Sequence, residues 1–274
     1  VLGAGVDVSL TLTGTSSVQA TDLTALLGET AYDDVVVLGA QSVVGALGDL
    51  VAVALELDSV GAQDLVLTGT QAFVLAESAG QRVAAESLKA LDDVTTGEVF
   101  AQAADTVVVG MGPLHASLLN RDSATVWFGD SVVLADSVVV ELVVGTGAND
   151  WVGADSLNTV SVLLTGVVDA TAADTIRGSL EGLLSVTADA GVKRAGSVTL
   201  EVTDGLNNSA TTLQADSVLG LSGRTAGVVD ARGADTIEGS FAQLSALADS
   251  VDAGRVVLGA GVDVSLTLTG TSSV

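Results

Sequence analysis

Five aspartates recur at matching positions of an internal repeat, where their carboxylates could bind a metal ion. Asp174 and Asp235 stand in two copies of ADTI, and Asp105 matches them in a degenerate copy. Asp169 and Asp230 match each other in two copies of GVVDA. If repeats stack, such carboxylates form rows, and rows of oxygen ligands suit Ca²⁺. The sequence therefore offers Ca²⁺ as a candidate cofactor at these five positions.

A simpler interpretation of the same aspartates is that they occupy turns and face water. Aspartate is favoured in turns and caps because its carboxylate accepts hydrogen bonds from nearby backbone amides. The glycine-rich nonapeptide GGxGxDxUx of calcium-binding repeats is absent from the sequence. The sequence thus favours the turn interpretation, although divalent ions would also screen a chain of net charge −25 without a specific site.

The composition leaves few residues for catalysis. The chain has no cysteine, and its single histidine, His115, rules out multi-histidine metal sites. Ser117 lies near His115, but the GxSxG pattern of a nucleophile elbow is missing. The nine basic residues are scattered along the chain, whereas polysaccharide lyases and hydrolases need clustered acids and bases. We therefore expect a protein that is not an enzyme and has no catalytic residues.

Two further groups of residues could serve as binding sites. Trp127, Phe128 and Trp151 could form a sugar-stacking patch, or they could pack an irregular insertion, which we favour. The tripeptide NNS at 207–209 matches the N-glycosylation sequon, a short and common pattern.

Charge and hydropathy restrict the partners of the chain. Its 274 residues contain 34 acidic and nine basic side chains, so it repels phosphate backbones and we expect no nucleic-acid partner. The chain is 48% hydrophobic and has a mean hydropathy of +0.59, so it can nevertheless bury a core. The longest charge-free stretch is too short and too rich in glycine to span a bilayer, so we expect no membrane span in this segment.

The chain repeats itself over a long period. Residues 257–274 are identical to residues 1–18, VLGAGVDVSLTLTGTSSV, at an offset of 256. Chance does not produce such a match. We infer that residues 1–256 are one period, that residues 257–274 begin the next, and that the chain is a window of a longer tandem array.

Two shorter motifs alternate within this period. The first occurs as VQATDL at 18–23, VAAESL at 83–88, VGADSL at 152–157 and LQADSV at 213–218. The second occurs as VVGAL at 43–47, IRGSL at 176–180 and IEGSF at 237–241, with a degenerate copy at 107–114. The alternation predicts four pairs of about 64 residues, at about 6–63, 64–137, 138–197 and 198–256, the last running into 257–261. Each pair holds two units, with a mean length of about 32 residues.

Each unit has the pattern of a strand, a turn and a short helix. Apolar and polar residues alternate at 6–13, 64–68, 137–144 and 197–203, which predicts strands with one buried face. A turn residue such as Gly14 follows the strand, and short helical patterns come after it. A hydroxyl or carboxylate suits the helix N-cap at Thr21, Ser87, Asp155, Ser179, Asp216 and Ser240.

These units predict a repeat solenoid, mainly parallel β with short helices. A unit of this size cannot bury its apolar face alone, but stacked copies can. We expect about eight coils of ~32 residues per 256-residue period, which at ~4.8 Å per coil would rise ~38 Å. The alternative is that each ~64-residue pair is one turn, or a small domain on a string.

The units SLxxLxxVxAD…GVVDAxxADTIxGS and LTLTGTSSVQATDLTALL resemble the Val/Thr/Asp/Ala-rich repeats of giant bacterial cell-surface proteins, of which marine cyanobacteria have examples. This resemblance covers the whole chain. It implies a non-enzymatic structural protein at the cell surface or outside the cell, forming a filament, sheath or surface fibre. Its partner would be itself, head to tail in a continuous array, with lateral bundling as a further option. The alternative function is a Ca²⁺-stabilised adhesin stalk or an S-layer-like coat segment.

Overall fold

A computed structural model of the chain describes ten stretches of residues, and everything stated below concerns these. They are 6–28, 32–58, 64–67, 71–76, 81–95, 97–111, 131–144, 151–163, 166–204 and 211–267. His115, Ser117, Trp127, Phe128 and the sequon at 207–209 lie outside them.

Strands and short helices alternate along the described chain. The strands are β1 (Val6–Gln19), β2 (Tyr32–Gly45), β3 (Asp64–Leu67), β4 (Ala72–Leu75), β5 (Arg82–Ala84), β6 (Val99–Ala101), β7 (Thr106–Met111), β8 (Val132–Leu134), β9 (Val139–Val144), β10 (Trp151–Gly153), β11 (Val167–Ala170), β12 (Thr175–Gly178), β13 (Val192–Arg194), β14 (Thr199–Val202), β15 (Thr212–Gln214), β16 (Val229–Ala231), β17 (Thr236–Gly239), β18 (Val256–Leu258) and β19 (Asp263–Leu266). The helices are α1 (Ala20–Leu27), α2 (Leu47–Asp58), α3 (Ala85–Val94), α4 (Ala154–Leu163), α5 (Leu180–Ala188), α6 (Ala215–Ser222) and α7 (Phe241–Asp252).

The chain forms two compact units, each built on parallel sheets. Unit 1 comprises Val1–Val109 and Ser123–Glu141, and unit 2 comprises Gly110–Asp122 and Leu142–Val274. Unit 1 contains sheet I, in the order β1-β2-β4-β6-β8, with β3 paired to β2. It also contains the parallel pair β5 and β7. The prediction of parallel sheets built from strand–helix repeats is confirmed for this unit.

Unit 2 has the same construction. Its sheet II runs in the order β10-β12-β14-β16-β18, and its sheet III in the order β15-β17-β19. Strands β11 and β13 form a further parallel pair. Along the chain, one helix and one strand of another sheet lie between each pair of neighbouring strands in this unit, as parallel crossover connections require.

Aliphatic side chains at equivalent register positions form the core of unit 2. Along sheet II, the register places Val152, Ile176, Leu200, Val229 and Val256 in one row across five strands. All five are at most 1% exposed. Burying such a side chain stabilises the fold by about 1.5–3 kcal/mol relative to leaving it in water. We call the segment from one strand of a sheet to the next strand of that sheet a layer. Each layer contributes one aliphatic side chain to this row, which fits a chain that is rich in valine and poor in aromatic residues.

The spacing of paired strands differs from the coil length predicted from the motifs. Thr175 pairs with Thr199, and Val229 pairs with Val256, so both pairs are closer along the chain than one predicted coil. Val99 and Val132 are paired too, and they are further apart than one predicted coil. The spacing therefore varies from step to step, the predicted mean length stays a prediction, and helices mark the steps unevenly. Two strands, β11 and β12, lie between α4 and α5, whereas β13, β14 and β15 all lie between α5 and α6.

The helix starts confirm two predicted N-caps and correct four. Ser179 accepts from the amide of Gly182 at 3.0 Å, and Ser240 forms a capping box with Gln243. The other helices with a predicted cap begin with an alanine directly after a strand residue, so the predicted caps lie within the first turn. These corrected residues are Thr21, Ser87, Asp155 and Asp216.

The turn predicted at Gly14 is also wrong. Strand β1 runs through this residue and pairs with β2 on both sides of it. The register shifts between Thr11 and Ser16, so the extra residues are absorbed as an irregularity of the ladder.

Candidate functional site

Asp169 makes a compact set of contacts on β11. Its Oδ1 atom accepts hydrogen bonds from the amide of Thr171 at 3.0 Å and from the Thr171 hydroxyl at 2.6 Å. The Lys193 ammonium on β13 donates to Oδ2 at 2.8 Å. Partial burial alone would raise the pKa of Asp169, but these bonds from Lys193 and Thr171 outweigh it and hold the pKa below its usual value of 3.8.

Asp230, its counterpart on β16, is also paired with a cation. The Arg232 guanidinium donates through Nε to Oδ1 at 2.9 Å and through Nη2 to Oδ2. The hydrogen bond from Arg232 lowers the pKa of Asp230, although partial burial opposes it. Both GVVDA carboxylates are therefore already neutralised by a basic side chain of the same chain.

Asp105, Asp174 and Asp235 lie in turns that connect a strand of one sheet to a strand of another. The carboxylate of Asp235 accepts from the amide of Thr211 at 2.9 Å. All three residues use their backbone carbonyl oxygen in the same way. Each carbonyl accepts from the amide of the first residue of a strand further along the chain, which is β9, β14 or β19. The distances are 2.9 Å from Val139 to Asp105, 2.9 Å from Thr199 to Asp174 and 2.8 Å from Asp263 to Asp235.

The structure does not bring the repeated aspartates together in rows. Asp169 and Asp230 lie on β11 and β16, which belong to different sheets, and Asp174 and Asp235 precede β12 and β17, which also belong to different sheets. No group of three or more His, Cys, Asp or Glu in the described stretches is placed to hold a metal ion. As placed, these carboxylates do not provide the several oxygen ligands that Ca²⁺ takes. Calcium binding by this chain stays a prediction.

Three outward-facing side chains on neighbouring strands of sheet II contact one another. The Arg177 guanidinium on β12 lies 5.1 Å from the centroid of the Trp151 ring on β10. Its Nε atom donates to Oε2 of Glu201 on β14 at 2.6 Å. Trp151 thus packs against the neighbouring layer. The sequence did not reveal these contacts, because the residue types differ and the contacts depend on how the strands pair. Arg177 is in register with Glu201, whereas Trp151 is its diagonal neighbour.

Small residues create the closest contacts between layers. A Cβ atom placed on Gly178 would lie 2.6 Å from the Cβ of Ala154. The corresponding distances are 2.7 Å for Gly45 with Ala20, and 2.9 Å for Gly239 with Ala215. Each alanine is fully buried at the start of a helix, and each glycine ends the adjacent strand. The two alternating motifs are therefore partners, since the first supplies the alanine and the second the glycine.

A threonine and a glycine form a second recurring contact where the chain enters a new strand. The Thr225 hydroxyl donates to the carbonyl of Val198 at 2.6 Å and accepts from the amide of Gly227 at 2.9 Å. Thr95 makes the same two bonds, to the carbonyl of Gln71 at 2.6 Å and from the amide of Gly97 at 3.0 Å. A Cβ on either glycine would clash with a carbonyl of the previous layer.

The last strand of sheet III has an exposed edge. All four residues of β19 are exposed, including Val264 at 66% and Leu266 at 49%. The amide of Asp263 donates to the carbonyl of Asp235, just before β17, at 2.8 Å, and the amide of Thr267 donates to the carbonyl of Gly239, the last residue of β17, at 2.9 Å. Successive residues of a parallel strand bond to opposite neighbours, so the backbone groups of Val264 and Leu266 point to the edge away from β17. No strand in the described stretches pairs with this edge, and an apolar strand edge of this kind is a template for adding another strand.

None of the helices in the described stretches is both long and apolar enough to cross a membrane. Comparisons with protein-family models, with characterised proteins and with solved structures found no match to this chain. The features that bear on function are the contacts between layers and the exposed edge of β19.

Proposed function

We propose that this chain is a segment of a structural protein in which tandem blocks, each one period of the sequence, continue one solenoid. The observation that carries the proposal is the in-register row of buried aliphatic side chains across the five strands of sheet II, in a sequence that itself repeats. A layered structure of this kind has no natural end, because each layer contacts only its neighbours.

The mechanical properties follow from the contacts between layers. Parallel ladders and buried rows connect successive layers within each sheet, and the alanine–glycine contacts hold neighbouring layers close together. Ion pairs such as Arg82 with Glu141 at 2.6 Å add links on the surface. Separating two layers would break many bonds at once, so the assembly would resist extension along the stack.

The charge supports a fibre that stays dispersed in water. The formal charge of the chain is −25, this acidity recurs with every block, and repulsion between like-charged surfaces opposes lateral aggregation. The resemblance to repeats of giant bacterial surface proteins agrees with an extracellular filament, sheath or surface fibre without enzymatic activity. Its principal partner would be a second block of the same protein, head to tail. Labelling of intact source cells with an antibody to the block tests this location.

Electron microscopy of chains with one, two and four blocks tests the function. Sheets I and II each have a path of five strands. If each of these ten strands marks one layer, a block has ten layers, and at ~4.8 Å per layer it rises by about 48 Å. We expect unbranched rods that lengthen by this amount with each block. Separate globules joined by flexible connections, or a length that does not grow with block number, would contradict the proposal.

A further inference from the structure

Strand β19 and the first part of β1 have the same sequence but pair with different strands. Asp263–Leu266 corresponds to residues 7–10 in the earlier copy of the repeat. β19 pairs with β17, which precedes it in the chain, whereas β1 pairs with β2, which follows it. In sheet II, an inner strand such as β14 pairs with the preceding strand β12 on one edge and with the following strand β16 on the other. The same strand sequence is therefore paired with its preceding neighbour in β19 and with its following neighbour in β1.

The exposure of β19 fits a strand that has one neighbour, β17, among the strands that the structure describes. Val264 is in register with Ile237, which is fully buried, and its copy Val8 is in register with Val35, which is 2% exposed. Leu266 is in register with Gly239. Its copy Leu10 is in register with Val37, which is fully buried. Side chains in register point to the same face, so Val264 and Leu266 point towards the core.

The number of strands gives an independent indication. Sheets I and II each have a path of five strands, whereas sheet III has three. The first part of β1 pairs with the first part of β2, and Asp34–Val37 of β2 pairs in turn with Asp64–Leu67 of β3. These three segments form a branch of sheet I, apart from the path of five strands. If β19 takes the place of β1 in this branch, sheet III gains the next copies of β2 and β3 and then has five strands.

We propose that the open edge of β19 binds a second copy of the block, whose residues 32–38 and Asp64–Leu67 become the fourth and fifth strands of sheet III. Residues 32–38 of that copy pair with β19 in parallel, with Val35 opposite Val264 and Val37 opposite Leu266. Ile237, Val264 and Val35 then form one buried row, and Gly239, Leu266 and Val37 form the next. The inference rests on the proposed function, because it takes blocks to follow one another, and it adds the register of the junction.

An extended chain tests the junction directly. Residues 19–67 of a second copy are appended after Val274, and hydrogen exchange is compared with that of the original chain. We expect the amides of Val264 and Leu266 to exchange at least about tenfold more slowly in the extended chain, because they gain partners. The amides of Asp263 and Thr267 already donate towards β17 and serve as internal references. Equal exchange of Val264 and Leu266 in the two chains would overturn the proposal.

Two substitutions with the same charge test the register. Leu266→Lys places an ammonium in the row that the junction buries, whereas Ser265→Lys places it on the opposite face, beside Glu238. In the extended chain we expect Leu266→Lys to abolish the added protection and Ser265→Lys to retain it. Loss of protection in both variants, or in neither, would refute the register.

The junction and the filament can fail separately. Protected amides in the extended chain, together with multi-block chains that do not form rods, would leave the junction standing and remove the proposed function. Rods whose β19 amides remain unprotected would do the reverse.

Discussion

The Cβ atom of Ala154 lies 2.6 Å from the position that a Cβ atom on Gly178 would take. Ala154 begins α4, and Gly178 ends the adjacent strand β12, just before α5. The same relationship holds between Ala20 and Gly45. Two side chains cannot share this space, so one layer must contribute alanine and the next glycine. The alternation of two motifs along the sequence is thus a packing requirement.

Gly178→Ala should destabilise unit 2. The added methyl group would overlap that of buried Ala154, and overpacking of this kind costs about 1–3 kcal/mol. The matched control is Gly196→Ala, because a Cβ at Gly196 meets nothing within 4 Å. Urea denaturation followed by circular dichroism measures both variants. Equal midpoints for the two variants would show that the contact does not constrain the fold.

Ser240→Ala should lower the stability of α7. The Ser240 hydroxyl accepts from the amide of Gln243, and the Gln243 side chain accepts from the Ser240 amide at 2.8 Å, so the substitution removes half of a capping box. We expect a loss of about 1 kcal/mol in the free energy of unfolding. Ser217→Ala, inside the first turn of α6, should change it by less than about 0.5 kcal/mol. A comparable loss for Ser217→Ala would contradict the assignment of caps.

The contact between Asp169 and Lys193 should make stability depend on pH in acid. The pKa of Asp169 is lower in the folded state than its usual value of 3.8, so the folded state takes up this proton less readily than the unfolded state. The contribution is therefore complete above the usual pKa and is lost as the pH falls through the lowered pKa. Because Lys193 is largely exposed, we expect it to reach at most about 1 kcal/mol.

Two substitutions of Lys193 test this dependence by urea denaturation from neutral pH into the acid range. Lys193→Met removes the donor, so the pKa of Asp169 in the folded state should lie closer to its usual value, and less stability should be lost as the pH falls. Lys193→Arg keeps a positive donor and should follow the wild type. Identical pH profiles for wild type and Lys193→Met would show that the ammonium has no influence on Asp169.

Calcium and magnesium should raise the thermal midpoint equally. At neutral pH both ions screen the repulsion within a chain of charge −25, and Asp169 and Asp230 already hold Lys193 and Arg232. Thermal denaturation in CaCl₂ and in MgCl₂ at equal ionic strength measures the effect. A midpoint that rises clearly more in CaCl₂ would support the calcium-stabilised stalk instead.

The sequence predicted elements better than contacts between them. Local alternation and helical spacing located strands such as β9 and helices such as α7, since these patterns depend on neighbouring residues only. The half-buried contacts of Arg177 with Trp151 and with Glu201 could not be found in this way. They depend on the register between layers, and the lengths of helices and turns set that register. For the same reason the sequence alone could not show that Asp169 and Asp230, which would form a row if their repeats stacked directly, lie on different sheets.

Trp151 and Arg177 should be energetically coupled. The guanidinium lies 5.1 Å from the ring centroid and is held there by Glu201, so single and double substitutions, Trp151→Leu and Arg177→Met, form a mutant cycle. We expect a coupling of about 0.5–1 kcal/mol, typical of a partly exposed cation over an indole ring.

A second cycle between Trp151 and Arg232 serves as the control for this coupling. Arg232 is largely exposed and its guanidinium is directed at Asp230, so the two substitutions should be additive. The salt dependence separates two causes of coupling in the first cycle. Contact with the ring should persist in concentrated NaCl, whereas a coupling that arises only because Arg177 carries charge should vanish there. Additivity of both cycles at low salt would show that the contact between Trp151 and Arg177 does not contribute to stability.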